Sequence, residues 1–174
     1  EMQKWNTELH WDMKSGKTLL DPMEANTKSL LAFWDCTDNG MNGFMWWAFE
    51  KKKTMRDHLM HAATVPLVNA YPIAVTDPDG SATVNENQLH TRAFLKDDTI
   101  TVYATNLDPE KLWKNLRFKL NKGTIRSHVT CHQWSKISPP EGISIRKNFT
   151  NKTHFTASLA PGTISVFSFK YKTK

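Results

Sequence analysis

The chain has 174 residues and a mass of 20.0 kDa, is 39% hydrophobic and 11% aromatic, and carries 23 Lys and Arg against 17 Asp and Glu, a formal charge of +6. That apolar content is too high for a disordered segment, and no run approaches the ~20 apolar residues of a membrane span. The length also falls well short of the ~250 residues of a complete (β/α)8 barrel, leaving one domain or two small ones.

The charge is unevenly placed. Residues 1–80 hold 8 basic and 11 acidic side chains, or −3, and residues 81–174 hold 15 and 6, or +9. Cys36 and Cys131 are too few for a disulfide scaffold and are expected to be free structural thiols. No secretory segment opens the chain, and its start at Glu1 suggests a processed or partial polypeptide.

Residues 1–12 interleave Trp5 and Trp11 with Asn6, Glu8, His10 and Asp12, and are expected to form an active-site loop. Flat rings offer stacking area to the apolar face of a sugar, while neighbouring amides and carboxylates hydrogen-bond its hydroxyls. The alternative is that these tryptophans simply pack on the domain. Asp21, Pro22 and Glu24 make an N-cap, first-turn proline and capping-box acid, and Met23, Thr27, Leu30, Leu31 and Trp34 recur at helical spacing, so a helix is predicted over 21–36. After a turn at Asn39-Gly40, the run 44–49 is apolar at both alternating positions, which predicts a strand buried on two sides, as in a parallel sheet. The pleat sends Trp46 and Trp47 to opposite faces, so at most one of them meets a ligand. Thr54 and Asp57 then cap a second helix with Met55, Leu59, Ala62 and Ala63 on one face.

The turn cluster at 76–81 marks a change of grammar, and a domain boundary is expected between residues 76 and 77. Beyond it, alternating runs at 89–95, 99–105, 116–120, 124–134, 144–146, 153–159 and 163–171 predict an antiparallel β-sandwich. Turns are expected at Lys96-Asp97-Asp98, Asn121-Lys122-Gly123 and Ala160-Pro161-Gly162. His58 and His61 lack a third ligand at a sensible spacing and read as a solvated helix face, so no metal is expected. Cys131 and His132 are adjacent in a strand and point to opposite faces, which argues against a thiol–imidazole pair.

The run Gly43-Phe44-Met45-Trp46-Trp47-Ala48-Phe49-Glu50 resembles the last barrel strand of retaining glycoside hydrolases of the large (β/α)8 clan. The strand end Asn106-Leu107 and the closing 159–167, Leu-Ala-Pro-Gly-Thr-Ile-Ser-Val-Phe, resemble the β-sandwich that follows such barrels, most nearly in the β-agarase/β-porphyranase family. The fold that this resemblance implies is α/β plus all-β: the carboxyl-terminal part of a (β/α)8 barrel in residues 1–76, then an antiparallel β-sandwich in residues 77–174. The implied activity is retaining, endo-acting hydrolysis of a polysaccharide, of agar or porphyran type, without a cofactor. Glu1 is implied as the nucleophile, because a strand-seven carboxylate precedes the strand-eight aromatic by some tens of residues and Glu1 stands 45 and 46 residues before Trp46 and Trp47.

Retaining hydrolysis needs a second carboxylate ~5–5.5 Å from the first, and in this clan the general acid lies on a strand absent from the chain. Glu8 and Glu50 are the fallback carboxylates, and Trp5, Asn6, Glu8, His10, Trp11, Trp46, Trp47 and Glu50 are the candidate substrate-binding residues. The missing acid implies a partner: an N-terminal segment or a second chain that completes the barrel. The implied location is secreted, periplasmic or at the cell surface. Lys51, Lys52, Lys53, Arg117, Lys119, Lys122, Arg126, Arg146, Lys147 and the tail Lys170, Lys172 and Lys174 make the sandwich basic, open to reading as a solvated surface, a nucleic-acid site or an attractor of anionic polysaccharide such as a sulfated galactan. No nucleic-acid module is found, so neither nucleic acid nor membrane is an expected partner. The competing function is a non-catalytic carbohydrate-binding or structural β-sandwich module.

Overall fold

The computed structural model describes residues 5–9, 30, 31, 34, 43–46, 59, 61, 62, 67, 69–76 and 89–173, with 5–9 and 43–46 described by their backbone. The described chain is mainly antiparallel β-structure. Helical backbone is present at Leu30, Leu31 and Trp34 and again at Leu59, His61 and Ala62, inside the two predicted helices. The Asp21, Pro22 and Glu24 start, Cys36, His58 and the 77–81 turn lie outside the described residues.

Eleven strands are described: β1 (Trp5–Leu9), β2 (Gly43–Trp46), β3 (Tyr71–Ile73), β4 (Leu89–Lys96), β5 (Thr99–Asn106), β6 (Trp113–Lys119), β7 (Thr124–Ile125), β8 (His128–Trp134), β9 (Ile143–Asn148), β10 (His154–Leu159) and β11 (Thr163–Lys172). Seven of them form one sheet in the order β3-β4-β5-β11-β8-β9, with β7 joined to the end of β11. β6 and β10 make a second, two-stranded sheet. The main sheet therefore reaches back to residue 71, across the expected boundary at 76/77, because Tyr71, Pro72 and Ile73 pair with Leu95, Phe94 and Ala93.

Turn chemistry sets the connections. β4 and β5 meet through a two-residue turn whose Asp97 has φ 52°, a left-handed conformation that Asp tolerates better than most residues. The run predicted as one strand over 124–134 is instead broken at Arg126 and Ser127. There the Ser127 hydroxyl donates to the His128 carbonyl at 2.7 Å and accepts from the Lys170 amide at 2.9 Å, replacing a rung of the β8–β11 ladder.

Side chains of the main sheet alternate between two cores. On one face Ile100, Val102, Phe167, Phe169, Val129 and Cys131 pack with Trp113, Phe155 and Leu159 of the smaller sheet. Phe155 is the hub: its ring lies 4.8 Å from Phe118, 5.1 Å from Phe167 and 5.5 Å from Phe169. On the other face Phe94, Tyr103, Trp134, Ile164 and Val166 pack against Leu30, Trp34 and Leu59 of the helical segments. Trp34 and Phe94 meet the Tyr103 ring edge-on at 6.0 and 5.8 Å. Burial on both sides explains why β5 and β11 are nearly continuously buried.

β9 closes the sheet as an edge and is exposed throughout, with Arg146 and Lys147 guarding it against edge-to-edge pairing. The approach to β9 is fixed by Trp134, whose indole N–H donates to the Pro140 carbonyl at 3.2 Å. Gly142, with φ +78°, lies so close that an added Cβ would sit 2.8 Å from the indole Cε2 and Nε1 atoms. Gly142→Ala is therefore expected to cost about 2–4 kcal/mol, from overpacking plus the left-handed backbone, measurable as a shift of the urea midpoint at unchanged slope.

Candidate active site at the carboxyl ends of two parallel strands

β1 and β2 pair in parallel. This bears out the parallel setting expected for the Phe44-Met45-Trp46 run and corrects the expectation of a loop over residues 1–12, since 5–9 is a strand. The strand signal was present in the sequence: Trp5, Thr7 and Leu9 alternate with the polar Asn6 and Glu8.

The register carries further information. Trp5 pairs with Gly43 and Asn6 with Phe44, but Leu9 pairs with Trp46. The offset falls from 38 to 37 residues, so β1 has one residue more than β2 between Asn6 and Leu9, a bulge at Thr7 and Glu8. Bulges bend a strand and re-aim side chains, and they are concentrated beside active sites. Because the strands are parallel, their carboxyl ends lie at the same edge, ~4.8 Å apart in the pairing direction. Glu8 is the penultimate residue of β1 and Trp46 the last of β2, so the fold brings a carboxylate-bearing and an indole-bearing position together at that edge.

Trp5 and Asn6 lie at the opposite, amino end of β1. Glu1, His10, Trp11, Trp47 and Glu50 lie outside the described residues; His10 and Trp11 directly follow β1, Trp47 and Glu50 follow β2, and Glu1 precedes the amino end of β1 in the chain. Among the described residues no group of three or more metal-ligating side chains occurs, and no helix is long and apolar enough to cross a membrane.

Other candidate chemistry in the sheet resolves as structure. Cys131 is free and buried in the inter-sheet core, while His132 is exposed on the other face, as the strand alternation predicts. Burial pushes the Cys131 thiol from 9.0 up to about 11, against smaller lowering effects of Ser165 and Lys147. At pH 8 the thiolate is then about one part in a thousand, so Cys131 is expected to escape alkylation in the folded protein and react on denaturation, read by peptide mass mapping. The linkage sign follows: the unfolded thiol ionises first, so this residue's contribution to stability falls as pH rises from about 9 to about 11.

The Asn106-Leu107 signature is likewise architectural. Asn106 is fully buried, and its Nδ2 donates to the carbonyls of Lys111, Leu159 and Ala160 at 2.8, 3.1 and 2.9 Å. Its Oδ1 accepts from the Asp108 amide at 3.1 Å. Asp108 in turn accepts from the Glu110 and Lys111 amides at 2.9 and 2.8 Å, which hold its carboxyl below the usual carboxylate range.

No protein-family model and no curated protein sequence matches the chain. Solved structures do. The chain is similar to a GH30 endoxylanase from Clostridium papyrosolvens C71, with TM-score 0.71 and 20% identity over 95% of this chain and 41% of that one. It is similar to a glycoside hydrolase family 30 subfamily 8 xylanase from Clostridium acetobutylicum, with TM-score 0.73 and 16% identity over 97% of this chain and 42% of that one. A family 44 xyloglucanase from Paenibacillus polymyxa, solved with xyloglucan, matches with TM-score 0.64 and 12% identity over 97% of this chain and 32% of that one. The chain thus spans about two-fifths of the length of the two xylanases, and at these identities what it shares with them is the fold of that portion.

Proposed function

We propose that this chain is part of a retaining, endo-acting glycoside hydrolase that cleaves a polysaccharide, with the chain before Tyr71 supplying the last strands of a (β/α)8 barrel and the sheet from Tyr71 onward the trailing sandwich. The observation that carries the reading is the parallel β1–β2 pair, with its bulge at Thr7 and Glu8 and with Glu8 and Trp46 at one edge. Parallel strands flanked by helices place their active sites at the carboxyl ends. The fold likeness to two xylanases and a xyloglucanase supports the same reading.

That placement favours Glu8 over Glu1 as nucleophile, since Glu1 precedes the end of β1 from which sites in such folds are absent. Glu8 attacks the anomeric carbon, and a carboxylic acid from outside this chain protonates the departing glycosidic oxygen. Water then hydrolyses the glycosyl ester and restores Glu8, with configuration retained. Trp46, and not its neighbour Trp47, floors a sugar subsite together with Trp11, which follows β1 in the chain. The acid comes from an N-terminal segment of the same polypeptide or from a second chain, and the protein acts outside the cytoplasm on a polymeric substrate.

Xylan and xyloglucan, which the similar structures' names carry, lead the substrate panel; the agar- or porphyran-type galactan rests on the sequence resemblance. The test is release of reducing ends from xylan, xyloglucan, agarose and porphyran by the intact protein, with the product anomer followed by NMR. Release with retained configuration from one of them supports the reading. Binding without release from any would establish the non-catalytic carbohydrate-binding module instead.

A further inference from the structure

Among the described residues, the face of the main sheet that packs on the helical segments carries a polar stretch beyond its apolar one. On the same face, two and four residues further along β11 from Val166, stand Ser168 and Lys170; along β8, two and three steps of the pleat from Trp134, stand Thr130 and His128. Thr99 of β5 pairs with Lys170, and Arg146 of β9 pairs with Thr130. These six side chains line a cleft of about 320 Å³, and none of the residues lining it is acidic.

Its polar groups converge. The Arg146 guanidinium donates from Nη2 towards His128 Nδ1 at 3.3 Å, which leaves the other ring nitrogen of His128 to carry the hydrogen and act as a donor. Lys170 Nζ is steadied from the rim by both oxygens of Asp98, at 3.1 and 2.9 Å. Thr130 and Ser168 add hydroxyls, while the Thr99 hydroxyl donates to Asp98 Oδ1 at 3.3 Å. Guanidinium, imidazole N–H, ammonium and hydroxyls on one concave sheet face form a donor set for an oxyanion, with the planar Arg fork suited to sulfate or carboxylate. The wider field agrees: residues 111–174 hold thirteen Lys and Arg and a single acid, Glu141. Such a field concentrates polyanions in a salt-dependent way.

We propose that this cleft binds the anionic groups of an acidic polysaccharide, a sulfate ester or a uronate carboxylate, as an accessory site on the sandwich. The proposal rests on the polysaccharide reading above and extends it to a second surface. Hydroxyl donors beside cations suit a sugar chain. Among the described residues no exposed Phe, Tyr or Trp lines the cleft; the exposed rings on this face are the imidazoles of His128 and His132, and competition by single-stranded DNA tests whether they serve as stacking platforms.

The experiment is affinity electrophoresis of the intact protein, at fixed low salt, through porphyran, glucuronoxylan, agarose and unsubstituted xylan, with competition by single-stranded DNA. Retardation by porphyran alone identifies sulfate, by glucuronoxylan alone carboxylate; agarose and unsubstituted xylan give the uncharged baseline. Arg146→Gln and Lys170→Gln are each expected to weaken retardation about tenfold, Arg146→Lys less, and Asp98→Asn to strengthen it by freeing Lys170.

The control is Arg117→Gln with Lys119→Gln, on the exposed face of β6, where Arg117 pairs with His154 at 3.4 Å. It removes as much charge as the Arg146→Gln, Lys170→Gln double variant and is expected to leave retardation within twofold. Equal loss in both doubles, no retardation by either acidic polymer, or displacement by DNA at lower concentration than by polysaccharide would overturn the site. Binding is read without turnover, so the two readings fail separately. Hydrolysis without anion-dependent retardation removes the cleft alone, and anion-dependent retardation without hydrolysis removes the hydrolase alone.

Discussion

Asn106→Asp is expected to unfold the sandwich at ambient temperature, or to bring it close to unfolding. Asn106 is a buried polar node whose amide nitrogen faces three carbonyl oxygens, those of Lys111, Leu159 and Ala160. Two N–H hydrogens serve three acceptors, so at least one is shared, and together they tie the end of β5 to the turn before β6 and to the β10–β11 turn. Aspartate is nearly isosteric but replaces the donor with an oxygen. Three bonds are lost, and a carboxylate is set against three carbonyl dipoles. The expected penalty is about 4–6 kcal/mol, comparable to the whole stability of many domains. Asn106→Leu, which removes the donors without adding charge, is expected to cost less, about 2–4 kcal/mol. Urea unfolding followed by tryptophan fluorescence ranks the two. A buried carboxyl resists ionisation, so the aspartate deficit is expected to shrink as pH falls, and the leucine deficit to stay constant. Equal, pH-independent losses would show that Asn106 acts through its volume and not through its bonds.

Glu8→Gln is expected to lower polysaccharide hydrolysis by the intact protein by at least ~10³-fold with the Michaelis constant little changed, because glutamine keeps the shape of the side chain and removes the nucleophile. Glu8→Ala, which opens space at the same point, is expected to regain turnover in azide and to release a glycosyl azide of inverted configuration. That product requires a nucleophile missing from the face of the sugar that Glu8 attacks. Glu1→Gln is expected to stay within a few-fold of the unaltered protein. If Glu1→Gln abolishes turnover and Glu8→Gln does not, the nucleophile is the one the sequence spacing selected, and the strand-end argument for Glu8 fails. Trp46→Ala is expected to raise the Michaelis constant by about tenfold, with the smaller effect on turnover, as suits loss of a stacking platform.

The amino-acid sequence alone determined the antiparallel half of the molecule. Its period-2 alternation is local, and the β4–β5, β6–β7 and β10–β11 turns carry Asp97, Gly123 and Gly162 at the positive φ values that such connections demand. The opposite-face placement of Cys131 and His132 was legible for the same reason, since the pleat alone decides it. What only the tertiary structure decided is non-local. No periodicity tells which strands pair, so the membership of Tyr71–Ile73 in the main sheet, the parallel pairing of Trp5–Leu9 with Gly43–Trp46 and the bulge at Thr7 and Glu8 appear only once the ladders are drawn. A one-residue change of register moves every side chain to the other face, and register depends on a partner that lies 38 residues away in the chain. The cleft of Arg146, His128 and Lys170 has the same origin, for those residues come from three strands and only their ladders bring their polar groups together.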